Sequence, residues 1–443
     1  MRGMLTRLTL ALALTLAMAV PTPAAAATDW LSLRTMNMAH QGGEDEAPSA
    51  TMYAFERSMI LGADMLEVDV HTSADGQVMV LHDAAVDRTT NGSGEVYDMT
   101  AAEIQKLDAA HNFVPGVGTT SDAPKSSYAF RGVRTGDRKP PKGFKPNDFR
   151  VPTLVEVMEA YPDVPINIEI KGRGDDDRAS FLANAEALAA TLTDIGRTDG
   201  IIVASFSDEA INYFHELMPD IGLAPAIAET AAFKLGGVAP PEGRVAFQVP
   251  ITFSGIQVTD AAFVEDAHAA GLAVHVWLSS DPENDDTYNQ LLDWGVDAVM
   301  PAAPAAFERV LCERDIDRPP RPRDWPGEHC NHDRVSIACD VEPTRVSRVN
   351  RKGRVRVHLR RNDDFEGGCA GELRVRAAGK TKLARFDYGR TPPKDKADRK
   401  RSVKLKLSKK VRRALADGPR RAKVSTRAYH AFGHAKRFGL KAG

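Results

Sequence analysis

Cysteine is absent from the first 311 residues; the four in the chain are Cys312, Cys330, Cys339 and Cys369. That excludes a disulfide framework or a thiolate metal centre from most of the sequence. The spacings further on are not C-x2-C, so a zinc ribbon has little support there. Aromatic residues make up only 7% of the chain, and they are not interleaved with basic residues as nucleic-acid surfaces require. No apolar run beyond residue 20 is long enough to cross a bilayer. No internal repeat is evident, which argues against a solenoid or propeller.

What the chain has is length and an uneven charge. Its 443 residues, 43% hydrophobic and 27% charged, suffice for a large domain and a smaller one. Residues 331–443 hold 33 Lys and Arg against 11 Asp and Glu, a charge of +22. That leaves 25 basic and 49 acidic residues, −24, for 1–330, although the whole chain sums to −2. The N-terminus joins Arg2 and Arg7 to an apolar stretch over 8–20 and an A-x-A site at 24–27. This reads as a signal peptide ending near Ala27, which places the mature chain outside the cytoplasm, secreted or on the cell envelope. An even cysteine number in an exported chain points to two disulfides. Three pairings exist; Cys312–Cys330 with Cys339–Cys369 is favoured, because the second pair closes a loop across short β segments.

From 35 to about 305, apolar runs alternate with helical patterns. The runs at 35–39, 65–70, 77–81, 166–170, 201–206, 222–227, 255–258, 274–278 and 298–300 read as strands buried on both faces. Helical spacing covers 51–61, 154–160, 179–192, 210–217, 261–270 and 287–294. Repeated βα units of this length predict a TIM (β/α)8 barrel. Nine strands compete for eight places, with 255–258 or 222–227 the surplus. Residues 108–150 interrupt the rhythm with Gly, Pro, Ser and Lys around scattered aromatics. They predict an insertion, with Phe113, Tyr128 and Phe130 forming a lid over the barrel mouth. The organisation read from sequence is thus a leader over 1–27, a barrel domain over 28–314, a linker over 315–333 and a basic domain over 334–443. Period-two alternation in the last predicts a small antiparallel all-β sandwich.

Residues i and i+2 of a strand share a face. Glu67 and Asp69 therefore point one way, as do Glu169 and Lys171 in INIEIK. Buried acids are costly unless paired or bound to metal. Three carboxylates from two strands suit a hard divalent cation, Ca2+ or Mg2+. All lie at strand C-terminal ends, where barrels carry their active sites, and so do His40 and His82.

The blocks AHQGG (39–43), APSATMYAF (47–55), GADMLEVDVHTSADGQVMVLHD (62–83), DRTTNGSGEVYDMT (87–100), INIEIK (166–171), VASF (203–206) and VWLSSDPENDDTYNQLLDWGVDAV (276–299) follow one another in this chain. In that order they resemble the glycerophosphodiester phosphodiesterases, over about 35–305. The resemblance implies a metal-dependent barrel that releases an alcohol and glycerol 3-phosphate from a small phosphodiester. It implies Glu67, Asp69 and Glu169 as metal ligands, His40 and His82 as the acid/base pair, and Lys171 on the phosphate. It also implies that a glycerol hydroxyl attacks to give a cyclic phosphate, which water opens. Phe206 and Trp277, in the last two blocks, are candidate pocket walls.

Positions 41, 49 and 50 depart from the family, as does 300–304, MPAAP, where the family has T-D-x-P. Gln41 stands where Arg is usual, a weaker phosphate contact. Ser49-Ala50 stands where the family has Glu-Asn. Two other readings follow: a phospholipase D-like enzyme acting on lysophospholipid or sphingomyelin, and a non-catalytic, envelope-binding relative. The basic domain suggests an anionic envelope polymer or membrane surface as partner, with nucleic acid disfavoured.

Overall fold

The computed structural model describes residues 28–316, apart from 142 and 279–280. It also describes 341–440, apart from 351, 362–369, 378–379, 388–399, 408, 410, 412, 414–419 and 429–432. Residues 1–27, nearly all of the 315–333 linker, and Cys330, Cys339 and Cys369 fall outside that set. Cys312 is not a free thiol.

Eight parallel strands form the barrel: β1 (Met36–Ala39), β2 (Met65–Thr72), β3 (Ile166–Ile170), β4 (Ile201–Ala204), β5 (Gly222–Leu223), β6 (Ala246–Pro250), β7 (Ala273–Trp277) and β8 (Ala298–Met300). The ladder runs β5-β4-β3-β2-β1-β8-β7-β6, and a parallel bridge from Leu223 to Arg244 joins its ends. One helix follows each strand or its extension: α1 (Met52–Leu61), α2 (Leu154–Ala160), α3 (Arg178–Ile195), α4 (Asp208–Leu217), α5 (Ile227–Gly236), α6 (Ala261–Ala269), α7 (Asp285–Trp294) and α8 (Pro304–Glu313). Side chains start several of them. Thr51, Ser207, Asp260 and Asn284 each accept the backbone N–H three residues on, and Thr153 with Glu156 forms a capping box. Such caps contribute about 1 kcal/mol each.

The two faces of β2 show how the sequence places the site. Leu66, Val68 and Val70 point outward into the layer packed against the helices. Met65, Glu67 and Asp69 point inward. Met65 joins Met36, Met38, Ala246, Ala273 and Ala298 in the apolar floor of the barrel. The inward row thus changes from apolar to acidic within one strand, and the change sets the depth of the site.

Three sequence expectations need correction. The barrel strand Ala246–Pro250 was not anticipated; its run is short and lies between Pro- and Gly-rich flanks. Residues 255–258 belong to a small hairpin, Thr252–Phe253 with Ile256–Gln257. Ser254 and Gly255 at its tip both take positive φ, 49° and 80°, as a tight two-residue turn requires. The 77–81 run is an antiparallel arm, Val78–Val80, paired back on β2. His82 therefore follows a hairpin arm beside β2 rather than a barrel strand.

The lid expectation also changes. Phe113, Tyr128 and Phe130 are buried. Phe113 and Phe130 pack with Phe149 and with Tyr53 of α1, the Tyr53 ring centroid 4.9 Å from that of Phe130 and 4.6 Å from that of Phe149. These aromatics are the insertion's own core, fastened to α1. Burying such large rings is worth more than exposing them to solvent over a cleft.

Beyond the barrel, two antiparallel sheets pair Val341–Val346, Arg354–Arg361 and Lys400–Lys406, and Lys380–Asp387, Ala370–Ala377, Arg420–Ala428 and Gly433–Leu440. Val355, Val357, Leu359 and Leu405 of the first bury against Leu373, Val375 and Val424 of the second. Along Arg354–Leu359 basic and apolar residues alternate, which puts charge on the solvated face, whereas Arg361 is buried. Among the described residues no helix is long and apolar enough to cross a membrane.

Candidate active site

The β2–β3 register sets Asp69 directly beside Glu169, and Glu67 beside Asn167. Ligand atoms of Glu67, Asp69 and Glu169 all lie within 4.8 Å of one another. Lys171 Nζ sits 2.7 Å from Glu169 and 3.1 Å from Asp69. One ammonium faces three carboxyl groups, so with all three ionised the cluster carries a negative surplus. Asp69 Oδ2 is buried with no hydrogen-bond partner, a costly state for a carboxylate oxygen. Clustered oxygen donors, surplus charge and an orphaned oxygen together fit a hard divalent cation.

The same crowding controls ionisation. Burial, with Asp69 adding to it, pushes the Glu67 carboxyl up to about 8, against the pull of His40 and the Gln41 amide. Burial also pushes Asp69 up, but Lys171, His82 and His40 outweigh it and hold Asp69 below the usual carboxylate range. Glu169 lies above that range, burial outweighing Lys171. A proton on Glu67 competes with a cation. Apparent Ca2+ affinity, read by calorimetry, is therefore expected to rise about tenfold per pH unit from pH 6 to 8 and then level off. A flat profile would show that no such proton is displaced.

His40 follows β1 in a loop that α1 and α8 force into shape. Gln41, Gly42 and Gly43 all take positive φ. A Cβ on Gly42 would stand 2.9 Å from Phe55, and one on Gly43 2.8 Å from Pro304. The turn brings Glu44 back so that its Oε1 is 2.5 Å from His40 Nδ1. Burial alone would lower the His40 pKa, but Glu44, with Glu67 and Asp69 behind it, carries it up to about 10. On the other side His82 Nδ1 meets Asp83 Oδ1 at 2.7 Å, while Arg88 Nε donates to Asp83 Oδ2 at 2.5 Å. Each histidine thus has its Nδ1 engaged by a carboxylate, which leaves Nε2 for a substrate.

Further polar groups support this frame. His71 continues the inward row of β2. Burial lowers its pKa to about 4, so it is neutral. Its Nε2 donates to the His82 carbonyl at 3.1 Å, and its Nδ1 meets Tyr97 Oη at 2.9 Å. Asn184 of α3 donates to Tyr97 Oη and to the Lys171 carbonyl. One network therefore ties the His82 backbone to the end of β3. None of Glu44, His71, Tyr97 and Asn184 was anticipated. The signal for His71 was present, since it stands two residues past Asp69.

Gln41 does not act as the sequence suggested. Its backbone N–H donates to Glu67 Oε2 at 2.7 Å, and its side-chain Oε1 accepts from Ser49 Oγ at 2.7 Å. Its side chain does not line the cavity. Two of the positions that depart from the family, 41 and 49, thus meet in one neutral hydrogen bond. Ala50, another of them, has φ 54°, a left-handed conformation that costs a Cβ residue about 1–2 kcal/mol. A crevice of about 10 Å³ beside it is lined in part by His82, Asp83 and Thr89. Ala50→Asn is expected to raise unfolding stability by about 1 kcal/mol, since Asn tolerates this region and its amide has polar neighbours there. Thermal unfolding checks it; a lower midpoint would refute the strain argument.

His40, Glu67, His82, Glu169 and Lys171 line one end of a cavity of about 430 Å³. Phe206 and Trp277, the candidate wall residues, line it as well, with ring centroids 5.9 Å apart. Phe113, Tyr128 and Phe130 do not.

A parallel barrel whose C-terminal rim gathers three acids, a lysine and two carboxylate-held histidines is built as a hydrolase for an anionic substrate. The chain belongs to the glycerophosphoryl diester phosphodiesterase family, whose model matches residues 40–305, and is an enzyme of that kind, a phosphoric diester hydrolase. Over 286 residues it is 27% identical to a glycerophosphodiester phosphodiesterase of Bacillus subtilis (strain 168), across 62% of this chain and 86% of that one. Over 191 residues it is 31% identical to the glycerophosphodiester phosphodiesterase of Caldanaerobacter subterraneus subsp. tengcongensis, across 43% and 65%. Among solved structures, an Oleispira antarctica phosphodiesterase in complex with sn-glycerol-3-phosphate matches with TM-score 0.46 at 22% identity, over 62% of this chain and 95% of that one.

Proposed function

We propose that this chain is an exported, divalent-metal-dependent enzyme that hydrolyses glycerophosphodiesters to an alcohol and glycerol 3-phosphate. The observation that carries the reading is the set of three converging acids, one with an orphaned oxygen, facing two carboxylate-held histidines. Glu67, Asp69 and Glu169 hold the ion, Ca2+ or Mg2+; when bound, it supplies positive charge that polarises the phosphodiester and offsets charge gathering on its oxygens. Lys171 pairs with a phosphate oxygen. His82 Nε2 takes the proton of the attacking glycerol hydroxyl, oriented by Asp83, whose charge is shared with Arg88. His40, charged by its contact with Glu44, gives a proton to the departing alcohol oxygen. The P–O bond to the alcohol breaks as the bond to the glycerol oxygen forms, giving a cyclic phosphate. Water then opens the ring with the histidine roles exchanged. The changes at Gln41 and Ala50 leave all five metal and histidine positions in place, which favours an active enzyme over a non-catalytic relative.

The test is hydrolysis of glycerophosphocholine with Ca2+, with Mg2+ and with EDTA, followed by phosphorus NMR. Metal-dependent glycerol 3-phosphate, preceded by a cyclic phosphate signal, is the expected result. Absence of hydrolysis with either ion would overturn the reading.

Export rests on the leader pattern over 1–27 and is tested by the N-terminal residue and compartment of the expressed chain. The same reading carries the domain boundaries, 28–314 and 334–443, and the two disulfides. The basic domain, +22 by sequence, is proposed to hold the enzyme on an anionic envelope polymer or membrane surface. Salt-sensitive retention on anionic but not neutral vesicles or polymer tests that.

A further inference from the structure

The imidazole of His82 has to meet the substrate, yet its side chain is 42% exposed. His82 also lies past the arm Val78–Val80, whose last pair with β2 is Val80 to Val70. A side chain this open takes its position from its backbone. Among the described residues the His82 carbonyl is held by one hydrogen bond, from His71 Nε2 at 3.1 Å. A carbonyl only accepts, so Nε2 carries the proton of this neutral imidazole and Nδ1 has none. The Tyr97 hydroxyl, 2.9 Å from Nδ1, therefore donates to it. With its hydrogen spent there, Tyr97 Oη accepts from Asn184 Nδ2 at 3.1 Å. The other Asn184 amide hydrogen goes to the Lys171 carbonyl at 2.6 Å, and Asn184 Oδ1 accepts from the Thr72 N–H at 3.0 Å. Each bond thus has one direction, and every polar hydrogen of the three side chains is used. A satisfied network of this kind has one geometry and holds it.

We infer that His71, Tyr97 and Asn184 are positioning residues for His82: they lock its backbone to the end of β3, so that its imidazole meets a phosphate held at Lys171. The inference rests on the hydrolytic reading above, in which His82 moves a proton. None of the three lines the cavity, so they act through His82 and not on the substrate. They come from β2, from the turn Val96–Asp98 and from α3, which the sequence keeps far apart and the fold brings together. The need for them is geometric. A group that transfers a proton must be held to a fraction of an ångström, and a displacement of about 1 Å costs about 10²-fold in rate.

The test is a set of kinetic cycles on the full-length chain with Ca2+ and glycerophosphocholine. Tyr97→Phe deletes one oxygen and leaves His71 Nδ1 and one Asn184 hydrogen unpaired, which frees the His71 ring to turn. It is expected to lower kcat about 10–100-fold and to change KM by less than about twofold, because Lys171 and the acids are untouched. The same loss is expected in the His40→Ala background. In the His82→Ala background it is expected to vanish, since an imidazole that is gone cannot be misplaced. His71→Leu should repeat the Tyr97→Phe pattern. His71→Gln, whose amide can donate to the His82 carbonyl and accept from Tyr97, should recover most of the loss. Equal losses in all three backgrounds, the mark of a role in folding alone, overturn the inference, as does a loss carried by KM. Crystal structures of the parent and of Tyr97→Phe give a readout without turnover. His82 is expected to shift by at least about 0.5 Å relative to Glu169, and an unmoved His82 overturns the inference. If His82 moves while the parent cleaves no glycerophosphodiester, the positioning chain stands and the hydrolytic reading falls.

Discussion

Glu67→Gln is expected to cut metal-dependent turnover about 10³-fold, the scale of losing a main electrostatic element of a site. Metal affinity should fall by more than the 10–100-fold that changes behind the ligands cost. Gln keeps the shape and still accepts the Gln41 N–H that now reaches Glu67 Oε2 at 2.7 Å. What it removes is one of three charges and the proton held with a pKa of about 8. The residual affinity should therefore lose its pH dependence between pH 6 and 8. Stability should move the other way. A carboxyl whose folded pKa is raised has its full stability below the unfolded value, about 4.3, and loses it as pH rises toward 8. Without metal at pH 8, Glu67→Gln should thus be more stable than the parent by at least about 1 kcal/mol. Unchanged turnover with controlled metal would remove Glu67 from the ligand set. Lower metal-free stability would contradict the burial argument.

The legible part of this site is what a strand's period fixes. Glu67 and Asp69 share a face by spacing alone, as do Glu169 and Lys171. Sequence spacing does not fix register, so it left unstated that Asp69 lies beside Glu169. The His40–Glu44 contact was hidden for a different reason. It is made across a turn with three consecutive positive φ values, where no regular period applies. The barrel was legible from repeated βα units, yet one strand was missed and two short runs were misplaced. Val78–Val80 and Ile256–Gln257 have strand composition, and only their turns decide that they fold back instead of crossing over.

His40→Ala should distinguish the two histidines. A general acid matters in proportion to how poor the leaving group is; a general base matters for any leaving group. His40, held by Glu44, carries the proton at neutral pH, so it is expected to serve the departing oxygen. His40→Ala should then lower kcat on glycerophosphocholine by about 10³–10⁴-fold, at the upper end for proton transfer. On the p-nitrophenyl ester of glycerol phosphate, whose leaving oxygen needs no proton, the loss should shrink to about tenfold. His82→Ala should cost about 10³-fold on both substrates. A reversed pattern would exchange the roles, and equal losses for both variants on both substrates would show that neither donates to the leaving group. Glu44 provides an independent check, because it is not a metal ligand and its contact with His40 does not depend on the ion. Glu44→Gln keeps a hydrogen-bonding oxygen near His40 Nδ1 but removes the charge that raises its pKa. An acid with a raised pKa loses its proton as pH climbs through that value. The alkaline limb of kcat/KM should therefore move to lower pH in Glu44→Gln while the acidic limb stays in place. A role for Glu44 in folding alone would lower the amount of active enzyme without moving either limb.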